Sequence, residues 1–274
     1  MVTAWRTAGA GYLGRWCACN RSSSVSATIS HTAGYDADGN FKGDQTTATW
    51  TLTGTLDPPG GSGASFTFSP TTAPSTGSII ATVGSISDGT GTITVNPGDL
   101  EYLIIRNASN NGGAEVGNLN LTTDDTYTFY AAGYDVYGNY RGDETVVWTS
   151  TVGLSGSGTS ITYNPSTPIT GGVVIATSGL IVDETGLINV TIGALSYLII
   201  RDDANGIGNE VGDVIITTDD SLKLYAAGYD ADNNYISDTA VNWTLSGNLD
   251  GQSLYDLINM VHGTFSGTLQ AEQL

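Results

Sequence analysis

Apolar and polar residues alternate in short runs along most of this chain. Thr126-Tyr127-Thr128-Phe129-Tyr130 shows the pattern, and Leu222-Lys223-Leu224-Tyr225 repeats it. A period of two puts successive side chains on opposite faces of an extended strand. Thr145-Val146-Val147-Trp148-Thr149 is β-branched and aromatic, the residue types that fit a pleated, half-buried surface. Clusters of Gly, Asn, Asp and Pro punctuate these runs, as in Asp38-Gly39-Asn40 and Pro58-Pro59-Gly60-Gly61. Such punctuation predicts short antiparallel strands joined by tight turns, so the expected class is all-β.

The pattern also recurs at long range. Tyr102-Leu103-Ile104-Ile105-Arg106 returns as Tyr197-Leu198-Ile199-Ile200-Arg201. Ala132-Gly133-Tyr134-Asp135 returns as Ala227-Gly228-Tyr229-Asp230, with an earlier copy at Ala33-Gly34-Tyr35-Asp36. Trp50, Trp148 and Trp243 follow the three copies at nearly constant distance. The period is about 95 residues, which is the size of one small sandwich rather than of a solenoid repeat. Three units are predicted, 1–100, 101–195 and 196–274. The first has a degenerate opening, where Tyr12-Leu13-Gly14-Arg15 echoes the Tyr-Leu-Ile-Ile-Arg strand. The second is complete, and the third loses the pattern after Asp250. About seven strands of roughly 7–9 residues per unit, with a turn signal every 8–12 or so, predict tandem β-sandwiches of immunoglobulin type. The Trp of each unit is the expected plug between two sheets.

The segment Ala132-Gly133-Tyr134-Asp135, with Gly138-Asn139-Tyr140 after it, then Val146-Val147-Trp148-Thr149, resembles bacterial Ig-like domains, as does Gly91-Thr92-Ile93-Thr94-Val95. These include the tandem modules of invasin- and intimin-type surface proteins. The resemblance runs from about Ser24 to Asp250. It implies a rod of sandwiches at the cell surface or outside the cell, acting as stalk, fibre or adhesin. It implies no particular activity, because function does not follow from this fold.

Charge narrows the partners. Eight basic residues stand against 27 acidic ones, a net −19. Such a chain repels phosphate backbones and anionic lipid, so neither nucleic acid nor membrane insertion is expected. No apolar run approaches the ~18 residues a spanning helix needs. The first twenty residues lack the apolar core of a signal peptide, so the chain is expected to begin inside a longer protein. Cys17 and Cys19 are expected to be incidental.

Candidate chemistry is sparse. The only histidines, His31 and His262, lie outside the repeated pattern, and no Gly-x-Ser-x-Gly occurs. Asp124-Asp125 and Asp219-Asp220 sit in matching Thr-Thr-Asp-Asp segments and read as solvated turns. No enzyme activity and no obligate cofactor are expected. Asp36-Ala37-Asp38-Gly39-Asn40 imitates the start of a calcium loop, yet Phe41 and Thr47 occupy the positions where an EF-hand needs Gly and Glu. It reads first as a turn. Calcium at Asp36, Asp38 and Asn40, or at Asp202 and Asp203 near the second junction, is the competing expectation. Asn-x-Ser/Thr occurs at Asn20, Asn107, Asn120, Asn189 and Asn242, with Asn107 and Asn120 the favoured glycosylation sites. Tyr137 and Tyr140 are the best exposed aromatics for a surface glycan.

The linkers Pro97-Gly98-Asp99-Leu100 and Gly193-Ala194-Leu195 are short and predict restricted hinges. The C-terminal run Thr264–Ala271 alternates, with Phe265, Leu269 and Ala271 on one face. Either this strand completes its own unit, or it is donated to a second copy in a head-to-tail filament. The expected partners are therefore the chain itself, surface glycans or other cell-surface proteins.

Overall fold

The structure is a computed structural model, and it describes residues 27–29, 32–57, 59–217, 220–245 and 269–273. All regular elements among them are β-strands. No helix there is long and apolar enough to cross a membrane.

The second repeat shows how the sequence makes a sandwich. One sheet is built on the central strand Tyr127–Tyr134. Tyr102–Arg106 and Tyr140–Asp143 pair with its later half, and Ser160–Tyr163 with its earlier half, all antiparallel. The opposing sheet runs in the order Gly156–Gly158, Val146–Ser150, Val174–Ser178, Ile181–Glu184. Alternation then works as expected. Phe129 and Ala131 from the first sheet, and Val146, Trp148, Val174 and Ala176 from the second, close one core. Trp148 is 1% exposed, and its indole N–H donates to the Gly158 carbonyl at 3.1 Å. Leu119–Thr122 pairs in parallel with Ile188–Thr191, so the early and late parts of the repeat are stitched together along one edge.

The same register recurs in each repeat. Trp50 lies opposite Ala81, Trp148 opposite Ala176, and Trp243 opposite Ala271. In the first two repeats the Trp thus lies beside an alanine, a residue small enough to leave room for the indole. Trp50 caps a smaller core with Phe68, Ile79 and Ala81. Trp243 is only half buried. All-β, tandem Ig-like sandwiches are therefore the architecture of this chain.

The strands are shorter than the sequence predicts. Eleven of them lie between Tyr102 and Thr191, none longer than eight residues. Bulges are one cause. The register shifts at Gly34/Tyr35, Gly133/Tyr134 and Gly228/Tyr229, the same step of each repeat. The glycine there sits under neighbouring side chains that a Cβ would crowd. A Cβ on Gly133 would lie 2.3 Å from Glu144 Cγ and 2.9 Å from Leu100 Cδ1.

Asp183 ties the two sheets of the second repeat, its Oδ2 accepting the Ile105 N–H at 2.6 Å. Burial pushes its carboxyl above the ordinary value despite that bond, and Glu115 and Glu184 push the same way. A raised carboxyl pKa in the folded state means the ionised form is disfavoured there. The penalty is absent at low pH, appears as pH rises through the normal carboxylate range near ~4, and is complete above the folded value. Asp183→Asn keeps an acceptor oxygen and removes the charge. The variant is expected to melt higher than the parent at pH 7, with the gain vanishing below pH ~4. Thermal melts across that range check this, and an equal or lower melting temperature at pH 7 contradicts it.

Candidate functional site: the joint between repeats

The Asp-x-x-Gly-Asn segment closes the hairpin between Tyr127–Tyr134 and Tyr140–Asp143. Asp135 Oδ1 accepts the N–H groups of Tyr137 and Asn139, each at 2.9 Å. Its Oδ2 accepts the Asn139 side-chain amide at 2.9 Å. Gly138 takes φ 81°, the left-handed conformation the turn needs. So far this is the local turn chemistry that Asp and Asn provide.

Two further contacts leave the turn. Asp135 Oδ2 also accepts the N–H of Gly98, in the linker from the first repeat, at 2.9 Å. Asn139 Oδ1 accepts the Ala73 N–H at 2.9 Å, and Asn139 Nδ2 donates to the Thr71 carbonyl at 2.9 Å. Thr71 and Ala73 belong to a loop of the first repeat bounded by Pro70 and Pro74. One amide proton of Asn139 therefore holds the turn and the other grips the neighbouring repeat. Asp135 is 2% exposed.

The next junction repeats the arrangement. Asp230 Oδ1 accepts the N–H groups of Asp232 and Asn234. Asn234 Nδ2 bonds Asp230 at 2.8 Å and the Ser166 carbonyl of the second repeat at 3.0 Å. Asp230 Oδ2 also accepts the buried Thr123 hydroxyl at 2.7 Å and the linker Gly193 N–H at 3.3 Å. Asn233, at φ 71°, replaces the turn glycine. Asp124 holds the same linker, accepting the Ala194 N–H at 2.7 Å. Gly193 packs so close to Asp124 that a Cβ would sit 2.4 Å from its Oδ1.

Electrostatics follow from these donors. Burial raises the Asp135 pKa, but the bonds from Asn139, Gly98 and Tyr137 outweigh it and leave the carboxyl below its ordinary value. Burial also pushes the Asp230 carboxyl up, but the bonds from Asn234, Thr123 and Gly193 outweigh it and hold the group far below the usual range. Both carboxylates are thus anions neutralised by N–H and O–H dipoles rather than by cations.

The first-repeat copy has the same internal bonds. Asp36 Oδ1 accepts Asp38 N–H at 3.0 Å and Asn40 N–H at 2.9 Å, and Asn40 Nδ2 reaches Oδ2 at 3.1 Å. The structure therefore places Asp36, Asp38 and Asn40 in one turn whose carboxylate is already occupied by N–H donors. Asp202 and Asp203 lie elsewhere, after the strand Tyr197–Arg201, where Asp202 accepts the Asn209 N–H at 2.7 Å. The two sets are not brought together. Among the described residues, no group of three or more His, Cys, Asp or Glu is arranged to hold a metal ion.

The remaining sites fall as follows. Asn107 is exposed and its Oδ1 accepts the Ala114 N–H at 2.8 Å, which fixes its loop. Asn120 is exposed and accepts from Asn189 Nδ2 at 3.2 Å. Tyr137 is 63% exposed. Tyr140 is half buried and donates to Asp143 at 2.7 Å, and burial with that carboxylate pushes its phenol up to about 12. Asp125 caps its own turn through Thr122, as does Asp220 through Thr217. Leu269 and Ala271 lie in the strand Leu269–Gln273, which pairs antiparallel with Val241–Leu245 of the same chain. Phe265, His31, His262, Cys17, Cys19 and Asp219 lie outside the described residues. Sequence reasoning missed Thr123, Asp124, Asn139 and Asn234 as joint residues. The available signal was that each recurs or sits beside a recurring motif.

No protein-family model matches the chain, and no curated protein matches it by sequence. Solved structures similar to it include the titin A168–A169 pair, at 12% identity and TM-score 0.32, covering 68% of this chain and all of that one. The FN1–FN3 domains of chicken CNTN1 match at 8% identity and TM-score 0.34, covering 95% of this chain and 84% of theirs. The tandem Ig repeats of Dlar match at 10% identity and TM-score 0.20, covering 68% of this chain and 99% of theirs.

Proposed function

We propose that this chain is a non-enzymatic structural protein of the cell surface or extracellular space. Its Ig-like repeats are locked in series to make a stalk or fibre. The observation that carries the reading is the joint made twice by the same residues, Asn139 gripping the Thr71 loop and Asn234 gripping Ser166. A half-buried side chain bonded to a carboxylate of its own repeat and to main chain of the preceding one restricts a hinge, which a series under load needs and a set of independent catalytic domains does not. The paired carboxylates support the non-enzymatic part, since Asp125 accepts from Thr122 in its own turn and Asp124 holds the Ala194 linker N–H.

Within this reading the chain joins itself head to tail. Pairing of Leu269–Gln273 in its own repeat favours end-to-end docking over donation of that strand. Electron microscopy of native material, with small-angle scattering of the purified chain, tests the proposal. An elongated particle or regular fibre is expected, and a compact globule would sink it. A second reading, an adhesin or carbohydrate-binding array, rests on Tyr137, which stands 63% exposed in the joint turn. A glycan array with no hits, with and without calcium, removes it.

A further inference from the structure

We propose that the Asp36–Asn40 turn is a docking face for the trailing loop of a further Ig-like module set ahead of the first repeat, completing the same joint a third time. The inference rests on the structural reading above. Three copies of the turn share one internal geometry, with Asp36, Asp135 and Asp230 each accepting two main-chain N–H groups and the Asn side-chain amide. In the second and third copies the outward side of the Asn amide is seated on the preceding repeat. In the first copy no such bond is made among the described residues. Asn40 is exposed where Asn139 and Asn234 are half buried, and Asp36 is half buried where Asp135 and Asp230 are 2% and 0% exposed.

The chemistry of the two occupied joints defines the occupant. Each preceding repeat offers a main-chain carbonyl in a loop bounded by prolines, Thr71 between Pro70 and Pro74 or Ser166 between Pro165 and Pro168. Proline fixes φ on either side and holds the carbonyl in place. Neither loop carries a charged residue. That matters in a chain of net charge −19, because a like-charged module can approach a carboxylate only through neutral N–H and C=O groups. The face therefore selects a module with a Pro-bounded, uncharged trailing loop, rather than a basic protein or a cation.

The test adds such a module. One fusion carries a second copy of residues 101–195 ahead of the full chain. Another joins that copy directly to Gly11, so that Leu195-Gly11-Tyr12 reproduces the spacing of Leu195-Ser196-Tyr197. Amide hydrogen exchange is then read over residues 36–40 and over 135–139. In at least one fusion, exchange at residues 36–40 is expected to slow about tenfold or more relative to the unextended chain, and Asn40→Ala is expected to remove the gain. Asn139→Ala in the unextended chain should speed exchange at 135–139. If it does, and residues 36–40 are unaffected in both fusions, the docking face is overturned while the joint stands. If Asn139→Ala leaves 135–139 unchanged, the joint reading fails and this inference with it.

Discussion

Replacing Trp148 with alanine is expected to cost the second repeat about 3–5 kcal/mol. The indole is 1% exposed and lies in the middle strand of its sheet, paired on both sides. Its removal leaves a cavity between the sheets that Ala176, directly across the ladder, is too small to fill. It also strips the Gly158 carbonyl of its indole donor. Trp148→Phe should cost less, since it keeps most of the apolar volume and loses the N–H. Trp243→Ala should cost about 1–2 kcal/mol, because that ring is only half buried. Urea unfolding followed by amide exchange, repeat by repeat, separates the three sites. A Trp148→Ala loss under ~1 kcal/mol, or one no larger than that of Trp243→Ala, contradicts the assignment of this ring as the core plug.

What the sequence disclosed depended on how far apart the partners lie. The core was legible because alternation is local and the repeat supplied three aligned instances of each position. Trp50 and Trp148 stand where the period-two pattern puts them. Asp125 was legible as a turn residue because its partner, Thr122, is three positions away. The joint was not. Asp230 bonds Thr123 across 107 positions, and Asn139 reaches a loop 68 positions upstream. No local pattern signals such a pairing. The Asp-x-x-Gly-Asn motif gave the turn correctly, but an Asn amide has two protons, and nothing in the motif says where the second one goes. Strand lengths were overestimated for a related reason. The register shifts at Gly133/Tyr134, where the Glu144 side chain packs over the glycine, a tertiary contact that leaves only a glycine as its trace in the sequence.

Acid and a single substitution at Asp135 should both open the first joint. Asp135→Ala leaves the N–H groups of Gly98, Tyr137 and Asn139 without their acceptor and releases Asn139 from the geometry that grips Thr71. Each buried donor left unpaired costs roughly 1–3 kcal/mol, so the turn should lose its conformation rather than bear all three. The pH effect has a definite sign. The folded carboxyl lies below its ordinary value, so its contribution is complete above the unfolded pKa near ~4 and is lost as pH falls through the lower, folded value. Asp230 is held lower still, so the second joint should outlast the first during acidification. Asp135→Asn should loosen the first joint even at neutral pH, because an amide offers one acceptor oxygen where the carboxylate offers two. Small-angle scattering and exchange at residues 135–139 and 230–234, followed from pH 7 downward, check the order. Simultaneous opening of both joints, or opening on raising the pH, would show that these carboxylates do not hold the repeats together. Asp135→Asn should abolish the acid sensitivity of the first joint while leaving that of the second unchanged, and a double substitution with Asn139→Ala should add little, since the two side chains act on the same contact.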